Sequence, residues 1–374
     1  MIQQFLLNII SRRINGPVGL LVRGVLQVLS IPYQFAIWIR NRRFDAGFGI
    51  RHVDAKVISI GNLTTGGTGK TPHIAMLAGQ IKDKSRVSIA SRGYGSIDGK
   101  PNDEAIELSW LVEVPHFQNA DRVAAAESAI KEAGASCILL DDGFQHRRLA
   151  RNLDIVLIDA TCPFGHGSLL PAGLMREPIS SLKRADAVVL TRSDLVTQEM
   201  RQSILAKVKS VNPNLVVAET RIVVDGLIDS EQTSHPLSVL GGSVLAVCGI
   251  GNPAGFMKTL AEHSIDVVDQ MVFEDHHAFT DEDIRQIQTA GQDCSAIVCT
   301  LKDLVKIKRQ QIGNIPIYAL AINVEFMSGR NSLFDLIEQT IDPIAQQKQA
   351  PNRQGSLPNE TVDLDLDSDD ANAA

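Results

Sequence analysis

The chain has 374 residues, a hydrophobic share of 44% and a formal net charge of −7, which excludes a disordered or fibrous chain and sets two domains as the expectation from length. Five cysteines, Cys137, Cys162, Cys248, Cys294 and Cys299, are odd in number and never spaced as C-x-x-C, which argues against a disulfide framework or a zinc site and for a reducing compartment. No basic n-region precedes the first apolar stretch and no small-residue cleavage site follows it, so a cleaved secretory signal is not expected.

The first element is a basic, apolar head over residues 1–45. Between residues 1 and 56, eight Arg and Lys stand against only Asp45 and Asp54. Residues 17–39 are long enough to cross a bilayer but contain Arg23, Gln27, Pro32 and Gln34. A mid-span Arg costs roughly 2.5–3.5 kcal/mol on insertion scales, so lying in the interface is the cheaper arrangement. Apolar positions 18, 21, 22, 25, 28 and 29 recur at helical spacing, Tyr33 and Trp38 suit a headgroup boundary, and Arg40, Arg42 and Arg43 are placed to meet anionic lipid. The expectation is a membrane-surface helix; a helix packed on the protein's own core and a true span are the alternatives.

Residues 46–232 read as a nucleotide-binding domain. The apolar run "KVISI" leads into "GNLTTGGTGKTPH" at 61–73. The P-loop spacing asks for Gly, four residues, then Gly-Lys-Ser/Thr, and Thr64 stands where the first Gly belongs. The rest keeps phosphate-binding chemistry. Gly66, Gly67 and Gly69 let backbone N–H groups turn toward an anion, Lys70 supplies a charge, and Thr71 offers a hydroxyl to Mg2+. Thr64, Thr65 and Thr68 complete the expected cradle, and the apolar "IAMLAGQI" after it predicts a helix. A Gly/Thr-rich surface loop is the plain alternative.

Further strand-like runs, "RVSIA", "CILLD", "DIVLIDA" and "AVVLTRSD", alternate with helical patterns. The predicted fold is therefore α/β, a P-loop NTPase with a mainly parallel sheet flanked by helices and a ligand crevice beyond the carboxyl ends of its strands. Asp141 and Asp142 end one such strand, where a P-loop protein keeps the acid that holds Mg2+, although Asp-Asp-Gly is also turn chemistry. Arg92 in "SRGYG", Gln145, His146, Arg147 and Arg148 in "GFQHRR", and Arg176 in "LPAGLMREP" sit in loops on the same side. Clustered, they are candidates for a substrate phosphate; singly, each reads as a surface group. Asp103 and Glu104 read as an acidic turn, and Thr191 with Asp194 in "LTRSD" mimics a guanine-reading loop. A second, smaller α/β domain is expected over 236–325, carrying Asp275, His276 and His277, followed by a closing helix at 326–343. Residues 344–374 lack apolar content and read as a disordered acidic tail.

Taken together, "VISIGNLTTGGTGKTP", "SRGYG", "DRVAAA", "LLDDGFQHRRLARNLDIVLIDA", "LLPAGLMREP", "CGIGNPAGF" with "FEDHHAFT", and "TLKDLVK" resemble, in order, the motifs of the tetraacyldisaccharide 4'-kinase (lipid A 4'-kinase) family. The resemblance implies a bacterial enzyme, peripheral on the cytoplasmic face of the inner membrane, that moves the γ-phosphate of ATP to the 4'-hydroxyl of a tetraacyldisaccharide 1-phosphate in lipid A biosynthesis. It implies ATP and Mg2+ as cofactors, the lipid and the membrane surface as partners, and no nucleic acid. Family P-loops keep the GGTGKT core without the first Gly, so Thr64 does not disqualify the cradle. The resemblance further implies that Lys70 and Thr71 hold phosphates and Mg2+, that Asp141 and Asp142 serve the metal–ATP site, and that Asp103 is the catalytic base, paired with His276. The chain departs from the family at three places: Gly-Asp-Glu-Pro is "NDEA", Thr-Glu-Lys-Asp is "TLKD" with Leu301 at the Glu position, and "PAGPLREP" is "PAGLMREP". The competing expectation from another class is a membrane-associated nucleotide switch that prefers GTP and phosphorylates no lipid.

Overall fold

The computed structural model describes residues 2–93, 102–275 and 277–342. His276, the expected partner of Asp103, and the expected tail at 344–374 lie outside the described residues. Helix α1 (Ile2–Ile10) is followed by the long α2 (Pro17–Asp45). Pro17 opens α2 at a position where a missing N–H costs nothing, and Pro32 lies inside it. Strands β1 (Lys56–Asn62), β2 (Val87–Ser91), β3 (His116–Gln118), β4 (Cys137–Asp141), β5 (Leu153–Asp159) and β6 (Ala187–Thr191) then alternate with α3 (Lys70–Ile81), α4 (Asp103–Leu111) and α5 (Arg122–Ala133), and α6 (Gln198–Val211) follows. The long β7 (Val216–Ile228) and the short β8 (Ser234–His235) lead into β9 (Val244–Cys248), α7 (Pro253–Glu262), β10 (Val267–Val272), α8 (Asp281–Ala290), β11 (Ala296–Thr300), α9 (Leu301–Ile307) and β12 (Gln311–Ile312). The long β13 (Ile315–Ser328) and α10 (Arg330–Ile341) complete the described chain.

The central runs are mainly apolar because both faces of the sheet are covered, so each strand feeds two cores. Ile58 and Ile60 of β1 pack with α3 and α10, whereas Val57 packs with α5. Helix starts are set by short polar caps: Asn102 accepts from the Ala105 N–H at α4, and Asp121 accepts from the Val123 N–H at α5. Leu333 and Ile337 of α10 join the core of the first half of the chain, so the last helix covers the half that holds β1 to β6.

One sheet runs through the molecule in the order β10-β9-β11-β13-β7-β6-β5-β1-β4-β2-β3, with β8 and β12 paired beside β7 and β13. Along this path only β7 and β13 meet antiparallel. β7 pairs with β6 through Val216–Glu219, then continues past it as far as Ile228, which lies opposite Ala319 of β13. β13 returns alongside until Ser328 faces Glu219, and β11 and β9 run parallel to β13. The carboxyl ends of the two half-sheets therefore point toward each other across a two-stranded ribbon. α4 closes the space between them: Ile106, Trp110 and Leu111 pack on the core that holds Leu301, Leu304 and Val305 of α9.

Candidate active site

The loop between β1 and α3 has the form of an anion cradle. Gly69 caps α3 in the left-handed region, φ 82°, which an L side chain adopts with strain. A side chain at Gly66 or Gly67 would meet no protein atom within 4 Å, so the backbone there is open on its outer side. The first half of the loop is pinned to the segment before Arg176. The Thr65 N–H donates to the Leu174 carbonyl at 2.7 Å, and the Arg176 N–H donates to the Leu63 carbonyl at 2.7 Å. Thr64, where the usual pattern has Gly, is buried and bridges Met175. That explains the substitution: the position faces the neighbouring segment, where a β-branched residue suits an extended pairing.

Asp142 follows β4 with φ 51°. Arg176 grips its carboxylate with both arms, Nη2 to Oδ1 at 2.7 Å and Nη1 to Oδ2 at 2.8 Å, and also donates to the Asn62 side chain. Lys70 Nζ stands 3.6 Å from Asp142 Oδ1. Burial works against the ionised form of Asp142, but the Arg176 hydrogen bonds and the Lys70 charge overcome it and hold its carboxyl well below the usual carboxylate range. Asp141 behaves oppositely. Burial, with Asp142 and Glu104 adding like charge, pushes its carboxyl up to about 7 despite Lys70 and Arg122. Its Oδ1 is buried and accepts no hydrogen bond from any described residue. A carboxylate oxygen so placed beside Lys70 fits a hard cation, and Thr71, in the first turn of α3, is the residue there that would supply a hydroxyl.

The first turn of α4 lies close enough to this cluster for Glu104 to act on Asp141. Asp103 begins that turn, and its Oδ1 accepts from the Glu104 N–H at 3.1 Å. From the other half, Lys302 donates to Asp275 Oδ1 at 3.0 Å at the carboxyl ends of β10 and β11. Residues of both halves thus face the first turns of α4, where Lys302 and Asp303 also act on Glu107.

A family model for tetraacyldisaccharide-1-P 4'-kinases matches residues 22–342. The chain belongs to the tetraacyldisaccharide 4'-kinase family. The tetraacyldisaccharide 4'-kinase of Halothermothrix orenii is 34% identical over 364 residues, covering 86% of this chain and 94% of that protein. That of Geobacter metallireducens is 35% identical over 310 residues, covering 77% and 89%. The crystal structure of the Aquifex aeolicus family member LpxK, described as an "apo" form in complex with ATP, superimposes with a TM-score of 0.70 at 29% identity, covering 86% of this chain and 100% of that one. The expected α/β fold and the expected kinase class therefore both hold.

Within that 4'-kinase frame the expected residues separate into groups. Lys70, Asp141, Asp142 and Arg176 converge on the cradle. Gln145 donates to the Asn62 carbonyl at 2.9 Å and so supports the loop. Arg147 turns away from it: its guanidinium pairs with Asp45 at 2.7 Å, donates to the Asn41 carbonyl and lies over Phe44, all at the end of α2. Burial and the surrounding arginines hold the His146 imidazole near 4, in its neutral form. Arg92 stands near Arg122, whose side chain is buried with Asp141 and Asp142 close by. The guanine-reading resemblance dissolves, because Thr191 is buried beneath the loop and Arg192 is paired with Asp159.

Two residues carry more than the sequence announced. Asn62 ends β1 and meets both Arg176 and Thr68, and nothing in its context distinguishes it from a turn residue. Glu177 is fully buried, and binds Arg40 at 2.9 Å, Arg184 at 3.0 Å, Asn41 and Ser181. Nothing in "LMREP" marks its Glu as buried.

Proposed function

We propose that the chain passes the γ-phosphate of ATP to the 4'-hydroxyl of a tetraacyldisaccharide 1-phosphate at this cradle, with Asp103 as the base. The observation that carries the assignment is the convergence of Lys70, Asp142 and Arg176 on an open glycine loop, beside the orphaned oxygen of Asp141. Phosphoryl transfer asks for positioning and charge neutralisation more than covalent chemistry. Backbone N–H groups of residues 66–71 cradle the phosphates and Lys70 neutralises them. Thr71, Asp141 and Asp142 would hold Mg2+, which supplies further charge neutralisation when bound. Asp142, kept ionised by Arg176, holds Lys70 over the loop. Asp103 accepts the proton of the attacking hydroxyl, and the family resemblance gives His276 as its partner. Arg92, Arg122 and His146 would line the acceptor side. The N-terminal helices hold the enzyme peripherally at the cytoplasmic face of the inner membrane, where the acyl chains of the acceptor are.

The test is transfer of labelled γ-phosphate to purified tetraacyldisaccharide 1-phosphate in detergent micelles. Wild type is expected to make the bisphosphorylated lipid. Asp103→Ala is expected to lose at least 100-fold in turnover with ATP binding intact, and near-normal turnover of that variant removes Asp103 from the base role.

A further inference from the structure

Beneath the cradle, two consecutive carbonyls are held from inside the protein by buried side chains. The Thr191 hydroxyl, at the end of β6, lies 3.1 Å from the Thr68 carbonyl and 3.5 Å from that of Ile158, so Thr68 is the nearer acceptor. His73, in the first turns of α3, places Nδ1 2.7 Å from the Gly69 carbonyl and Nε2 2.9 Å from the Thr220 hydroxyl of β7. The backbone bond of the helix to that same Gly69 carbonyl, from the His73 N–H, is long at 3.4 Å. The side chain therefore makes the stronger contact. All three side chains are essentially inaccessible to water. Because a carbonyl can only accept, Nδ1 carries a hydrogen and donates it to Gly69; Nε2 pairs with the Thr220 hydroxyl, which also reaches the Leu190 carbonyl at 3.4 Å.

In a planar trans peptide the C=O and the N–H that follows it point in opposite directions. Drawing the Thr68 and Gly69 carbonyls inward turns the N–H groups of Gly69 and Lys70 away from the buried struts. The left-handed turn at Gly69 makes those two amides a concave pair of the kind that binds anions. We infer that Thr191 and His73, the latter steadied by Thr220, are positioning residues that aim the Gly69 and Lys70 amides at the β- and γ-phosphates of the nucleotide. They touch no substrate; they act through the loop. The inference rests on the reading of residues 64–71 as the ATP cradle. It also gives "LTRSD" its purpose: the Thr that mimics a guanine-reading residue is a strut under a phosphate loop.

The experiment is calorimetric binding of ATP, ADP and AMP to the full chain in detergent. It compares wild type with Thr191→Val, Thr191→Ser, His73→Leu, His73→Asn and Thr220→Val, with a thermal melt of each. Asn places its amide nitrogen near where Nδ1 stands, so His73→Asn retains the Gly69 contact and gives up the Thr220 one. Thr191→Val and His73→Leu are expected to weaken ATP and ADP at least tenfold while AMP, which lacks the phosphates the two amides would meet, changes less than threefold. Thr191→Ser and His73→Asn are expected to recover most of that loss, and Thr220→Val to fall between. Wild-type ATP affinity in folded Thr191→Val and His73→Leu overturns the inference, as does a parallel loss for AMP. If His73→Leu does not fold, Thr191→Val and Thr220→Val decide. Lys70→Ala separates the two levels: normal ATP binding there overturns the cradle itself, whereas loss in Lys70→Ala with none in the strut variants overturns the struts alone.

Discussion

Asp142 holds its charge in a left-handed backbone conformation that Asp tolerates better than most residues, and it does so because a fork of two N–H donors meets both oxygens. A lysine cannot copy that fork. Arg176→Lys keeps the charge but loses the second arm and the contact to Asn62, so kcat/KM is expected to fall at least tenfold in the lipid phosphorylation assay; full activity would mean that charge alone suffices. Glu107, on the same helix as Asp103, is a different case. Burial first, and then Glu104, Asp103 and Asp303, push its carboxyl up to about 7, with Lys302 pulling the other way. The unfolded chain ionises this group near 4.5, so its raised folded value works against folding at high pH. The favourable share is fully present below about 4.5 and is lost as pH rises toward 7, at up to about 1.4 kcal/mol per pH unit. Glu107→Gln is accordingly expected to melt higher than wild type at pH 8 and at the same temperature near pH 4, and equal melts at both would show that Glu107 titrates normally.

At the level of elements, the strands that build the site were the legible ones. β1, β4, β5 and β6 are short, mainly apolar runs, as suits strands covered on both faces. β3 escaped because three half-buried residues, His116 to Gln118, make no pattern. The length of β7 and β13 escaped for another reason: their middle sections cross between the two cores, where polar residues such as Arg221 and Glu325 face solvent and pair across the strands at 2.8 Å, which breaks the apolar run. The close approach of β1 to the loop after β4 was equally silent. A Cβ at Gly61 would stand 2.6 Å from the Phe144 Cβ and 2.7 Å from its backbone nitrogen, so only Gly lets the Asp142 loop lie against β1. Gly61→Ala is expected to destabilise by about 1–3 kcal/mol, read as a lower urea midpoint, and to reduce turnover by displacing Asp142. A stable, inactive variant would place the effect in the loop alone.

Across the whole molecule, residues 62, 70, 142 and 176 meet because a parallel sheet gathers the ends of β1 and β4, and that much follows from the alternation of strands and helices. The facing of the two half-sheets does not, since it depends on the antiparallel register of β7 with β13, which leaves no local trace. Nor does the seat of α2. Its polar edge is fastened to the segment that holds the cradle: Tyr33 donates to the Arg176 carbonyl at 2.9 Å, and Arg40 and Asn41 each donate to Glu177 at 2.9 Å. Its apolar side chains, among them Val18, Leu21, Val25, Val28, Phe35 and Trp38, remain exposed, and the helix is long and apolar enough to cross a bilayer by length and composition. Fastened along one edge and bare elsewhere, it suits lying on a membrane surface, with Arg42 stacked over Trp38 at 4.6 Å. The two edges should therefore separate by mutation. Leu21→Glu with Val25→Glu removes two insertions worth roughly 1.5–3 kcal/mol each, and is expected to cut sedimentation with anionic vesicles at least 100-fold while ATP binding stays intact. Glu177→Gln leaves the bare face alone but loosens Arg40 and Arg184, and is expected to keep vesicle binding and lose turnover. If the double Glu variant still sediments with vesicles, the exposed face of α2 is not what meets the lipid; if Glu177→Gln is fully active, the seat of the helix does not support the cradle.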